Sequence, residues 1–220
     1  MPRQALIEKR PLLVASIAAA IAYYVLRLST LPELWLIPLK GLPCGLLALY
    51  ALSSPAAGDR RWLAGMMGLA ALGDMVLEID FRSGALLFFT YHMVAISLYL
   101  KHPREHATAT QKAAAVAMLL LTPLLAWLLP ADRAMAWPTG LYGLALGGMA
   151  ACAWMSAFPR YRVGIGATLF LASDLVLIAG QGPLMGQRLP DAAVWPLYYV
   201  GQFLIVVGVV QTLRRRNAAA

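Results

Sequence analysis

Residues 164–180 read GIGATLFLASDLVLIAG, a run in which Asp174 is the only ionisable side chain. Extended to 161–182, it is long enough to cross a bilayer: at ~1.5 Å per helical residue, about 20 apolar residues cover the ~30 Å hydrocarbon layer. A carboxylate at the centre of such a helix costs roughly 2.5–3.5 kcal/mol on insertion scales, so its default reading is functional, with a polar partner nearby. This stretch predicts a membrane helix and a site within it.

Similar runs occur on both sides. Eight spans fit the chain, at about 11–28, 34–52, 61–80, 84–101, 112–130, 137–157, 161–182 and 192–213. Short breaks with turn and charge signals separate them, among them Ser53-Ser54-Pro55, Asp80-Phe81-Arg82-Ser83-Gly84, Lys101-His102-Pro103-Arg104, Pro130-Ala131-Asp132-Arg133, Phe158-Pro159-Arg160 and Leu189-Pro190-Asp191. The composition agrees. The 220 residues are 61% hydrophobic and 13% charged, too apolar for a soluble domain of this length. The expected fold is an all-α, polytopic transmembrane helix bundle forming a single integral membrane domain over residues 1–220.

The formal net charge of +8 does not point to nucleic acid, because its placement follows the membrane. Arg3, Lys9, Arg10, Arg60, Arg61, Lys101, Arg104, Lys112, Arg160, Arg162 and Arg214-Arg215-Arg216 collect on one side. Only Arg27, Arg82, Arg133 and Arg188 lie near the other, with Lys40 inside a span. The positive-inside rule then places both termini in the cytoplasm, and an even number of spans agrees. Met1-Pro2-Arg3 through Val25 resembles a signal peptide. Its apolar run nevertheless extends to about Leu28 past bulky Tyr23-Tyr24, so a retained first helix is expected. Cys44 and Cys152 lie in apolar runs and read as small core residues, with no disulfide framework and no metal site.

Asp174 has a counterpart. Ser173-Asp174-Leu175-Val176-Leu177 nearly repeats Gly73-Asp74-Met75-Val76-Leu77. The two phrases lie in spans three and seven, which run in the same direction, as a four-plus-four parallel repeat would have them. Polar side chains within spans are otherwise few: Lys40, His92, Gln202 and tyrosines that include Tyr198-Tyr199. Counted from the non-cytoplasmic ends, Lys40 and Asp74 lie ~9 Å deep, His92 and Asp174 ~12 Å, and Tyr198 to Gln202 ~9–15 Å. A shared depth across five helices implies one polar cavity. Glu78 follows Asp74 by one turn on the same face, at the span end, where exposure to headgroups is its expected fate. Tyr23, Tyr24, Trp35, Trp137 and Trp195 read as interfacial aromatics.

Two carboxylates in a low-dielectric site do not both ionise easily, so one keeps its proton near neutral pH. An acid and a base together can protonate a substrate and activate water. The sequence has no Gly-x-Ser-x-Gly, His-Glu-x-x-His or phosphate-binding glycine loop. Carboxylate acid/base catalysis without a cofactor is the chemistry left.

Lys40-x-x-Pro43, Gly73-Asp74, His92, Ser173-Asp174-Leu175 and Tyr198-Tyr199-x-x-Gln202, in that order across five spans, resemble the YhhN-type family of lysoplasmalogenases. The resemblance covers essentially the whole chain. It implies a multi-helix membrane enzyme that hydrolyses the vinyl ether bond of a lysoplasmalogen, giving a fatty aldehyde and a glycerophospho-choline or -ethanolamine. Asp74 and Asp174 would be the catalytic pair. Lys40, His92, Tyr198, Tyr199 and Gln202 would contact the lysophospholipid or orient water. A bacterial inner membrane is the expected location, with membrane lipids and the lysolipid as the partners.

Other readings use the same aspartates. A transporter would bind protons or cations there. A di-aspartyl intramembrane protease would carry Gly-x-Gly-Asp, where this chain has Ala71-Leu72-Gly73-Asp74. A lipid-binding scaffold would need neither proton step.

Overall fold

In the computed structural model, residues 10–53 and 57–219 are described. Arg3, Lys9 and the Ser54-Pro55 turn lie outside the described residues. Among these residues eight α-helices follow one another: α1 (Arg10–Leu26), α2 (Glu33–Leu52), α3 (Ala57–Leu77), α4 (Phe81–Leu100), α5 (Ala109–Leu128), α6 (Ala136–Met155), α7 (Ile165–Ala179) and α8 (Arg188–Ala219). Each predicted span coincides with one helix, with ends displaced by a few residues. Among the described residues the only extended pairing is an isolated bridge between Pro103 and Ser156.

Among the described residues five segments are long and apolar enough to cross a membrane: α2, α4, α5, α7 with the turn before it, and α8. Helix α1 is apolar but shorter. Helix α3 is diluted by Asp59, Arg60, Arg61 and Asp74, and α6 by Trp137, Pro138 and four glycines. Helix α5 exposes Val116, Leu120, Leu121, Leu124 and Leu128 in succession. Contiguous apolar surface of that kind requires a non-aqueous neighbour. The chain is a multi-pass membrane protein.

The helices form two compact units, α1 to α3 with α4 up to Val94 and α8 from Leu213, and the described residues 95–212, so that α4 and α8 each contribute to both. In the first unit α2 packs between α1 and α3. The Ser16 hydroxyl of α1 donates to the Pro43 carbonyl of α2 at 2.9 Å. Gly41 lets α2 approach α3 so closely that a Cβ there would lie 2.7 Å from the Ala71 carbonyl oxygen. Asp80 starts α4, its carboxylate accepting from the Ser83 backbone N–H at 2.7 Å. Hydrogen bonds from Ser83 hold the exposed Asp80 carboxyl below the usual carboxylate range.

In the second unit α5 and α6 meet along Gly143-x-x-x-Gly147. A Cβ at Gly143 would lie 2.6 Å from the Ala126 Cβ, and one at Gly147 would overlap the Met118 carbonyl. Small residues at this spacing let membrane helices pack backbone to backbone. Helices α7 and α8 do the same at Gly166 and Gly201, where each Cβ would fall 2.7 Å from the other residue's carbonyl. Thr108 and Gln111 form a reciprocal capping box that starts α5. A π-helical turn over Arg160–Gly164 leads into α7.

Within the second unit the connections pair off at its two ends. In the second unit the α4–α5 and α6–α7 connections pair through Arg104 N to Met155 O (3.0 Å) and Ala157 N to His102 O (2.7 Å). At the opposite end Ala131 N donates to Gln181 O at 3.1 Å, joining the α5–α6 and α7–α8 connections. The basic breaks therefore share one end of this unit. In the first unit Arg214, near the end of α8, reaches the Ser53 hydroxyl at the end of α2.

Candidate functional site

Asp74 sits on α3 with 2% exposure. The residue before it is glycine because a Cβ there would lie 2.8 Å from the Phe88 ring of α4. One turn further on, Glu78 receives two groups from neighbouring helices. Lys40 of α2 forms an ion pair with its carboxylate, and the Tyr23 hydroxyl of α1 donates to the same oxygen at 3.4 Å. The Lys40 ammonium also lies 5.8 Å from the centre of the Tyr23 ring. At the end of α1 the Arg27 guanidinium covers the Tyr24 ring at 4.4 Å. Lys40, Tyr23 and Glu78 thus form one cluster a turn away from Asp74. His92, on α4, is fully buried and meets the Tyr91 ring edge-on at 5.4 Å.

In the second unit Asp174 is 6% exposed on α7. The Tyr142 hydroxyl of α6 donates to its Oδ2 at 2.5 Å, and the Ser173 hydroxyl approaches Oδ1 at 3.3 Å. Ser173 also donates to the Phe170 carbonyl at 2.7 Å, which keeps its hydroxyl against the helix. The first turns of α8 carry an aromatic stack. Trp195 lies nearly parallel to Tyr199 (centroids 6.4 Å, 14°), and Tyr198 meets Phe170 of α7 edge-on at 5.2 Å. Gln202, one turn beyond Tyr198, is fully buried.

Every polar residue expected inside a span lies in a helix, and Asp74, His92, Asp174, Tyr198, Tyr199 and Gln202 are all buried. Two interfacial expectations fail. Tyr23 and Trp195 are buried, because the first turns inward to Glu78 and the second joins the α8 aromatic stack. Trp35 and Trp137 are exposed, as interfacial aromatics should be. Cys44 is fully buried. Cys152 is half-buried and lines a cavity of about 180 Å³ with Tyr99, Leu100, Pro103, Ala151 and Met155. Tyr142 was not singled out from the sequence. Its signal was a phenol in the interior of a glycine-rich helix, Gly140-Leu141-Tyr142-Gly143. Among the described residues no three His, Cys, Asp or Glu side chains gather in a way that would hold a metal ion.

A family model for the YhhN family matches residues 35–209, a range holding both aspartates and all five other candidate residues. Two curated relatives, each named lysoplasmalogenase, come from Mycobacterium bovis and Mycobacterium tuberculosis. Each is 28% identical over 172 residues, covering 74% of this chain and 66% of the relative. The chain thus spans slightly less than two thirds of those relatives' length. No solved structure matches the chain. With the motifs lying in the helices where they were expected and a family model that spans most of its length, the chain belongs to the YhhN family.

Proposed function

We propose that this protein is a membrane-embedded hydrolase that cleaves the vinyl ether bond of lysoplasmalogens by acid/base catalysis on Asp74 and Asp174. Its eight helices all span, as one integral domain in the bacterial inner membrane with both termini cytoplasmic and a four-plus-four parallel repeat. The observation that carries the reading is chemical: two buried carboxylates in matching phrases of apolar helices, in a chain similar to proteins named lysoplasmalogenase.

The reaction has a defined demand. A proton is delivered to the alkenyl carbon remote from oxygen, leaving an oxocarbenium ion. Water adds to the carbon bonded to oxygen and loses a proton, and the hemiacetal collapses to a fatty aldehyde and the glycerol hydroxyl. The protein must supply one acid, an anion for the cation and a base for the water. The Tyr142 hydroxyl at Asp174 suits an ionised carboxylate, which only accepts. We assign Asp174 to stabilise the cation and take the proton from water, and Asp74 to supply the acid proton. Tyr142 is a positioning residue, fixing the carboxylate that faces the cation. His92, Tyr198, Tyr199 and Gln202 orient the water and glycerol, and Lys40 serves the headgroup.

Purified protein given a lyso vinyl ether phospholipid in deuterated water tests this. The expected product is fatty aldehyde bearing one deuterium on the carbon next to the carbonyl, released equally with a chelator present. Absence of aldehyde from well-folded protein would refute the hydrolase, and cation flux in vesicles would then support the transporter.

A further inference from the structure

Lys40 and Glu78 come from different helices, α2 and α3, and meet as an ion pair with side-chain exposures of 15% and 40%. A partly exposed pair of this kind contributes only ~0–1 kcal/mol, so stability alone is a weak reason for it. Its setting is more specific. Tyr23 donates to the Glu78 carboxylate and places its ring 5.8 Å from the Lys40 ammonium, so both charges are held against one buried aromatic residue. Glu78 stands one turn from Asp74 on the same face of α3, or ~6 Å along the axis.

We propose that Lys40 and Glu78 form a headgroup subsite selecting a zwitterionic phosphate–ammonium group over an anionic one. This rests on the hydrolase reading above. On binding, the ion pair opens and each charge is replaced like for like: the phosphate takes Lys40 and the ammonium takes Glu78. The Tyr23 ring, already close to one cation, lines the floor. A headgroup with phosphate alone satisfies Lys40 but sets a second anion beside Glu78, which is the repulsive half of the selectivity. The geometry also suits the reaction. The three carbons of glycerol separate the vinyl ether from the phosphate by about one helical turn, the offset between Asp74 and Glu78.

Equilibrium binding to the full-length protein tests this without turnover, using two ester lysolipids of equal chain length that carry no vinyl ether. Lysophosphatidylcholine is the zwitterionic probe and lysophosphatidylglycerol the anionic one. The wild type is expected to prefer the first about two- to fivefold, the effect of roughly one exposed charge contact. Glu78→Gln should level the two affinities, largely by improving the anionic lipid, and Glu78→Asp should keep part of the preference. Lys40→Met should weaken both lipids. An unchanged ratio in Glu78→Gln, a wild type with no preference, or a wild type that binds neither probe would each overturn the subsite. Aldehyde release, measured separately on the vinyl ether substrate, reports on the hydrolase itself. Headgroup selection without turnover would reject the chemistry and keep the site.

Discussion

The Tyr142 hydroxyl donates to the Asp174 carboxylate at 2.5 Å, a contact on which the proposed mechanism relies. A hydrogen bond to a charged group is worth ~1.5–3 kcal/mol, so Tyr142→Phe should lower kcat about ten- to a hundredfold. KM should stay near wild type because the ring remains, and some thermal stability should be lost with the part-buried bond. A purely structural tyrosine would lower stability and leave the kcat of the folded protein unchanged. The residues legible from sequence were those whose polarity is anomalous in an apolar helix: Asp74, Asp174, His92 and Gln202 are all buried as that anomaly implies. Tyr142 was not legible because tyrosine belongs equally in cores, interfaces and sites, and only its contact with Asp174 separates these. The Lys40–Glu78 pair was hidden for a related reason. Glu78 alone reads as exposed to headgroups and Lys40 as one member of the polar layer, and their meeting depends on how closely α2 approaches α3 at Gly41.

Helices α5 and α6 meet where Gly147 presses against the Met118 backbone, so a large side chain there has no space. Gly147→Leu should separate the two helices and displace Tyr142 from Asp174, lowering both thermal stability and activity. Gly65→Leu, where a Cβ meets nothing within 4 Å, should leave both unchanged. Melting curves beside turnover of the two variants decide this, and equal tolerance would contradict the packing. The capping box of α5 gives a gentler case. Thr108→Ala should cost about 1 kcal/mol and Thr108→Ser little, read from denaturant unfolding. Hydropathy made the helices legible, since runs such as 84–101 have no other way to satisfy their backbone in lipid. The weak membrane character of α3 and α6 was less so, because a short sum of glycines, arginines and aromatics barely alters a run by eye. The π turn before α7 had no signal beyond Pro159, since an extra backbone residue within a helix leaves the hydropathy unchanged.

The proposed orientation, with both termini cytoplasmic, requires the connections at alternate ends to face opposite compartments. In a Cys44→Ala, Cys152→Ala background, Gln187→Cys should react with a membrane-impermeant thiol reagent added to intact cells, and Glu105→Cys only after lysis. The reverse pattern, or labelling of both, would contradict the proposed orientation. Asp74 and Asp174 belong to different compact units, and the catalytic proposal requires the folded protein to use them on one substrate. Aldehyde release from a lyso vinyl ether phospholipid should therefore be compared among wild type, Asp74→Asn and Asp174→Asn, each shown to be folded. Loss of a general acid or base removes ~10²–10⁴-fold in rate, so each variant should fall at least a hundredfold. Either variant retaining near wild-type turnover would contradict catalysis by the aspartate pair.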